Sequence, residues 1–205
     1  RCVSLIAGPV RLPVGGPRTP AAAIAVHLSV LAAIAAATWL PVVPRWLRRW
    51  APILSLLFLY TELPLLIRAA GHGPFFDSMV IRWEAALFGG QPAIAWSSAW
   101  SSMLLIELLH AAYLSYYAII VIVPALLAMR QREHDFSEAV FVLLLTFTVC
   151  FVAFVAFPVA GPRYLWTSPA DAVAGPVRQF SVWLLESRSS RGTAFPSSHV
   201  AVATT

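Results

Sequence analysis

Long apolar runs separated by short polar links dominate the chain. A membrane helix needs about 20 largely apolar residues. Four segments meet that requirement: Ala21 to about Val43, Trp50 to about Ala69, Met103 to about Met129 and Ser137 to about Phe157. A fifth run begins at Ala194 and is still continuing at Thr205. Two further stretches suit short helices lying in the membrane interface. One is Phe75 to Phe88, closed by Gly89-Gly90. The other is Pro176 to Ser187, where Val177, Phe180 and Leu184 share one face and Pro stands near the helix start. Residues 1–20 hold four Pro and three Gly and predict a flexible arm. The first span has an alternative reading as a signal peptide, with small residues near Ala33 to Ala37 as the cleavage site. Its length and the spans that follow favour a membrane helix. No internal repeat is visible. The pattern predicts an all-α polytopic transmembrane bundle with short interfacial helices.

Composition strengthens that reading. Apolar residues make up 60% of the 205 residues and charged ones 11%, against roughly 25% charged in average proteins. Mean hydropathy is +0.78. A soluble domain could not cover itself with so few charges, which excludes that class and a disordered chain. The net charge of +5 comes from 14 arginines and no lysine, scattered between apolar runs. With no basic face, no nucleic-acid partner is expected. Cys2 and Cys150 lie far apart, and Cys150 sits in an apolar run, so a buried thiol is expected there.

Arginines in short links set orientation. Pro44 to Arg49 and Arg130 to His134 are both short and basic, and alternate crossings put them on the same side, expected to be cytoplasmic. The segments 70–102 and 158–194 then face outward. The second carries Arg163, Arg178, Arg188 and Arg191, four cations where the rule predicts few. Either the topology is inverted or those arginines have a task; the two short links decide for the cytoplasmic assignment.

Ionisable groups inside apolar runs are costly and tend to face a protein interior or a wet cavity. Glu62 precedes Pro64, which is expected to kink its span. Glu107 and His110 share a helix face with Tyr113 and Tyr117 and are candidates for a cavity lining. The same face would equally serve as polar glue between helices. His27 stands alone in the first span and reads as a packing histidine, while His72 and His134 read as solvated. There is no metal-ligand spacing, no Gly-rich phosphate loop and no H-E-x-x-H, so no metal or cofactor is expected.

Two outer stretches carry candidate chemistry: Phe157 to Tyr164, and Gly192 to His199. In the second, Pro196 is tolerated in a first helical turn. Ser197, Ser198 and His199 then stand at a helix N-terminus, where free N–H groups favour an anion. The hydroxyls add donors and His199 a titratable proton. Arg163 can supply a planar fork for phosphate. The spacing therefore points to a phosphate site with a proton donor beside apolar walls, although Pro-Ser-Ser also serves simply to start a helix.

These residues resemble those of a known family. Pro196-Ser197-Ser198-His199 is similar to the P-S-G-H motif of the type 2 phosphatidic acid phosphatase superfamily, and Arg163 resembles the arginine of its first motif, K-x(6)-R-P. More narrowly, the chain resembles the branch that contains inositol phosphorylceramide synthase. The likeness there extends over Phe157-Pro158 to Pro162-Arg163, Ala194 to Ala201, Asp77 through Glu84 to Gly89, and His110-x-x-Tyr113 with Tyr116-Tyr117. It covers roughly residues 50–205. Departures are plain. Ala156 stands where the first motif has Lys, Tyr164 follows Arg163 in place of Pro, and Ser198 replaces Gly. The third motif, S-R-x(5)-H-x(3)-D, does not follow from Ser190-Arg191, since Ser197 occupies the histidine position.

The resemblance implies about six spans, of which 21–205 would hold about five. The domain would then be incomplete at its C-terminus, with the third motif beyond Thr205. It implies an enzyme acting on a lipid phosphate or lipid-linked phosphodiester in the cell membrane, and the two basic links put its site on the extracytoplasmic face. A histidine of the third motif would form a phosphohistidine, and His199 would protonate the leaving alcohol. Arg163 with the amides near Ser197 and Ser198 would steady the phosphoryl oxygens. Water completes a phosphatase cycle; an alcohol such as inositol completes a transferase cycle. A transporter or scaffold built on Glu62, Glu107 and His110 is the alternative reading.

Overall fold

The computed structural model describes residues 20–71, 75–99, 102–166 and 175–205. The expected arm, apart from Pro20, and His72 fall outside the described residues. Among those described there are eight α-helices and no strand. They are α1 (Pro20–Trp39), α2 (Arg45–Ala69), α3 (Asp77–Phe88), α4 (Pro92–Ala99), α5 (Met103–Met129), α6 (Glu133–Ala156), α7 (Pro176–Arg188) and α8 (Ser198–Thr204). Helices α1, α2, α5 and α6 are long and apolar enough to cross a membrane. The fold is therefore all-α, with four such helices at the positions the apolar runs indicate.

The helix ends differ from the sequence reading. α2 begins at Arg45, five residues before Trp50, and α6 at Glu133, four before Ser137. The first basic link is thus largely the first turn of α2, whereas in the second only Glu133 and His134 belong to α6. At α6, Glu133 and Asp135 in the first turn suit the positive end of the helix, and Asp135 pairs with Arg132. α4 has no counterpart in the sequence reading: eight residues give too few turns for a periodic pattern to emerge. α2 continues as helix through Pro64.

α2 and α6 run parallel and carry the core. At one end Ile53 meets Phe136 and Val140. In the middle Leu56 meets Leu143 and Phe147. At the other end Leu63 and Ile67 meet Cys150 and Phe154, which are buried as a thiol and a ring beside them. α5 packs antiparallel to the pair through Tyr116 and Ile120, and α8 adds Val202. Between helices in lipid, close van der Waals packing supplies most of the association, because leaving lipid gains little. An ion pair at 3.1 Å between Arg49 and Glu133 brings the two basic links to one end of the bundle.

α1 packs along α2, and most of its surface faces outward. His27 is not alone: its Nδ1 lies 2.9 Å from the buried Glu62 carboxylate. The partners are 35 residues apart on different helices, which is why the pairing leaves no local sequence pattern. His134 is exposed, as expected.

Candidate active site

The stretch after α6 is clamped on both sides by backbone hydrogen bonds. Phe76 N–H donates to the Pro158 carbonyl at 2.9 Å. The Asp77 carboxylate, buried at the start of α3, accepts from Ala160 N–H at 3.0 Å and Gly161 N–H at 2.8 Å. On the opposite side Val159 and Thr193 form a parallel bridge. Val159 N–H donates to Gly192 O at 3.3 Å, and Ala194 N–H to Val159 O at 3.0 Å. The bridge fastens the two candidate motifs to each other. Gly161 has φ +94°, and a Cβ added there would lie 2.7 Å from Ala194 Cβ, so only glycine permits this approach. A 3₁₀ turn over Pro162–Tyr164 follows and presents Arg163.

The second motif enters α8 from this bridge. Pro196 lies before the helix and not within its first turn. Ser197 is the N-cap, its Oγ accepting from Val200 N–H at 3.3 Å. Ser198 opens the helix and is buried. The His199 ring stacks on Tyr116, with centroids 3.9 Å apart, and on Tyr113 at 4.2 Å. Tyr117 meets it edge-on at 6.1 Å. These three tyrosines come from α5 and fix the plane of the imidazole. Its Nε2 is buried without a hydrogen-bond partner among the described residues.

Arg163, Ser197, Ser198 and His199 all line one cavity of about 580 Å³. Arg163 Nη2 donates to the Leu185 carbonyl of α7 at 3.3 Å and to the Tyr164 hydroxyl. Tyr60 also lines the cavity, its hydroxyl accepting from Ser190 N–H at 3.2 Å. From that polar end the cavity extends between α2 and α5 along Leu57, Leu54 and Ile53 on one wall and Ile120 and Val121 on the other. Its lining on α2 reaches from Trp50 to Tyr60, about 15 Å of helix at 1.5 Å per residue. The arrangement joins cationic, hydroxyl and imidazole groups to a long apolar channel.

Tyr113 lines this cavity, whereas Glu107, His110 and Tyr117 are not among its lining residues. Glu107 instead caps α7, accepting from Val177 N–H at 2.8 Å and Arg178 N–H at 3.0 Å. Its carboxylate lies where a Cβ on Gly175 would stand, 2.3 Å from the Glu107 carboxyl carbon. His110 Nδ1 is bonded to Ile106 O of its own helix at 2.8 Å. The sequence reading assigned no role to Asp77, Tyr60 or Tyr116, although Asp77 and Tyr116 lie in stretches that carry the family resemblance. Their partners lie 83–84 residues away for Asp77 and 130 for Tyr60, so no local spacing marks them. Tyr116 sits within the tyrosine run that drew attention to its neighbours.

A family model described as the PAP2 superfamily matches residues 78–205. The chain belongs to the PAP2 superfamily. That span takes in both clamped stretches and nearly all of α3–α8, while α1 and α2 precede it. Membership makes this a phosphatase-type enzyme at the level of the superfamily, and with the four apolar helices it makes this superfamily member a membrane protein. No curated protein and no solved structure matches the chain.

Proposed function

We propose that the protein is a lipid phosphatase or phosphotransferase of the inositolphosphotransferase-like kind, working through a phosphohistidine at the extracytoplasmic face. The observation that carries this reading is the shared cavity: Arg163, Ser197, Ser198 and His199 converge at its polar end, and apolar side chains line the rest. A phosphate head fits the first part and a lipid chain the second. Arg163 holds phosphoryl oxygens by its planar fork. A histidine such as the superfamily's third motif supplies attacks phosphorus. The P–O bond to the lipid alcohol breaks, and His199 delivers a proton to the departing oxygen. In the return step water or an acceptor alcohol attacks phosphorus, the P–N bond breaks, and His199 recovers a proton. Water gives hydrolysis; inositol or another alcohol gives transfer.

Orientation follows from the two basic links, held at one end by the Arg49–Glu133 pair, with the positive side cytoplasmic. Labelling of intact cells from outside, in a Cys2→Ala background, should then reach a cysteine at Ser187 and miss one at Gln131. The reverse pattern would put the site on the inner face. The transporter reading finds less support. Glu62, Glu107 and His110 each have a separate partner, namely His27, the α7 backbone and Ile106 O, and so do not form a polar path.

The chemistry is tested by incubating the full-length protein with a short-chain lipid phosphate labelled in its phosphoryl group. The expected result is label on the protein that is stable to alkali and lost in acid, as a phosphoramidate bond requires. Turnover without such a species would contradict the covalent route.

A further inference from the structure

Arg163 stands exposed on its 3₁₀ turn. An exposed arginine loses much rotamer freedom when it grips an anion, unless its own neighbours have already fixed the fork. The Tyr164 hydroxyl accepts a hydrogen bond from it, but Tyr164 belongs to the same turn and moves with it. The Leu185 carbonyl, which accepts from Nη2 at 3.3 Å, belongs to another element, α7. Where the guanidinium points therefore depends on what fixes α7.

Glu107 fixes it from the opposite end. Pro176 opens α7 and has no N–H to satisfy, so the first donors of the helix are those of Val177 and Arg178. The Glu107 carboxylate reaches across from α5 and accepts from both, at 2.8 and 3.0 Å. The fit is close. A Cβ added at Gly175 would lie 2.3 Å from the Glu107 carboxyl carbon. Farther along, α7 packs against α5, and its small Ser181 is fully buried. From Val177 to Leu185 the helix spans about 12 Å at 1.5 Å per residue. A carboxylate sits at its positive end and a guanidinium meets a carbonyl of its last turn, each sign matching the helix dipole. Leu185 and Ser189, at that second end, line the cavity together with Arg163. α7 is thus a strut between an acid outside the cavity lining and the cation inside it.

We propose that Glu107 is a positioning residue for Arg163: it holds α7 in place on α5, and α7 presents the Leu185 carbonyl that orients the guanidinium in the cavity. This rests on the phosphate reading of the cavity and adds to it a residue that touches no substrate. Without the carboxylate, α7 shifts on α5, the Leu185 carbonyl leaves Arg163, and the anion alone must order the fork.

Binding of inorganic phosphate to the full-length protein in detergent tests this by a double-mutant cycle. In Glu107→Gln the side-chain N–H₂ faces a backbone donor, so one tether to α7 is lost. Phosphate should bind about tenfold more weakly, the worth of one hydrogen bond to a charged group. In an Arg163→Lys background the same change should cost less than twofold, because an ammonium is a point charge with no planar fork to aim. Gly175→Ala, which puts a methyl where the carboxylate lies, should repeat both results, and it carries the comparison if Glu107→Gln fails to fold. A change that lowers the melting temperature but leaves phosphate binding within twofold, or weakens it equally in both backgrounds, makes Glu107 a merely structural cap and overturns the proposal. The phosphate reading survives that outcome if Arg163→Gln still weakens phosphate. Indifference to Arg163→Gln, or failure of phosphate to bind the wild-type protein, overturns the phosphate reading and this inference with it.

Discussion

Arginines gather at both ends of the bundle, in opposite physical circumstances. Where α5 passes to α6 beside the start of α2, the half-buried Arg49 pairs with the exposed Glu133, and the exposed Arg132 with Asp135. At the other end Arg163 and Arg191 lie over one tyrosine ring, and no described carboxylate pairs with either. The first set completes its own electrostatics. In the second set, Arg163 lines the cavity proposed to receive a phosphate. Residue type is the same, so the difference lies in what the fold brings alongside. At the basic links one partner is a turn away, as Asp135 is from Arg132, and the other comes from the neighbouring helix, as Glu133 of α6 does for Arg49 of α2. At the end that holds the cavity, backbone clamps hold two distant stretches together, and among the described residues no carboxylate pairs with Arg163 or Arg191. Net charge alone distinguishes neither case; a cation beside a cavity with no carboxylate partner among the described residues does.

The sharpest test of this contrast removes the proton donor. His199→Ala should lower turnover of a lipid phosphate with an alcohol leaving group by about 10²–10⁴-fold, the usual worth of general acid catalysis. The defect should shrink with a nitrophenyl phosphate, whose leaving group departs without a proton. Equal losses on both substrates would make His199 the nucleophile or a structural residue. Next in size is Arg163→Lys, which keeps the charge and loses the planar fork. Turnover should fall about 10²–10³-fold, as when one donor to a developing oxyanion is removed, with the melting temperature held.

A smaller effect is expected from Asp77→Asn. The side chain then offers one oxygen where two accept from Ala160 and Gly161 N–H, and its amide N–H₂ faces a donor. Lost alignment of the loop should cost about tenfold in turnover, in line with one hydrogen bond to a charged group, together with a lower melting temperature. Asp77→Glu restoring neither would fit the tight geometry; Asp77→Asn without effect would mean that the bridge to Thr193 suffices. The smallest change belongs to the opposite end. Arg49→Lys should leave turnover within about twofold, since exposed ion pairs are worth about 0–1 kcal/mol. A large loss there would erase the distinction between the two ends.

The sequence made the four long helices legible because each apolar run is long enough to cross a bilayer, and no soluble alternative accommodates such runs. The amphipathic α7 was legible from the spacing of Val177, Phe180 and Leu184. Helix starts were less so: Arg45 and Glu133 are polar, so hydropathy placed the boundaries four or five residues late. At the site, Arg163 and the Pro196–His199 stretch were visible as chemistry in a local pattern. What joins them was not. The parallel bridge of Val159 with Thr193 and the reach of Asp77 to Gly161 connect residues 34 and 84 apart. Glu107 shows the converse. A carboxylate in an apolar run suggested a cavity wall, but the free N–H groups of α7 claim it. Both a wet cavity and a helix end can satisfy a half-buried carboxylate, and the sequence around Glu107 is the same for either.

The central claim is that Arg163 and His199 act on one phosphorus within one cavity. A structure of the full-length protein determined with orthovanadate tests it most directly. The prediction is a single anion within about 3 Å, hydrogen-bonding distance, of both the Arg163 guanidinium and His199 Nε2, with its open side toward the channel lined by Leu54, Leu57 and Ile120. Vanadate bound instead among Arg49 and Arg132, or bound to Arg163 with His199 still stacked out of reach, would contradict it.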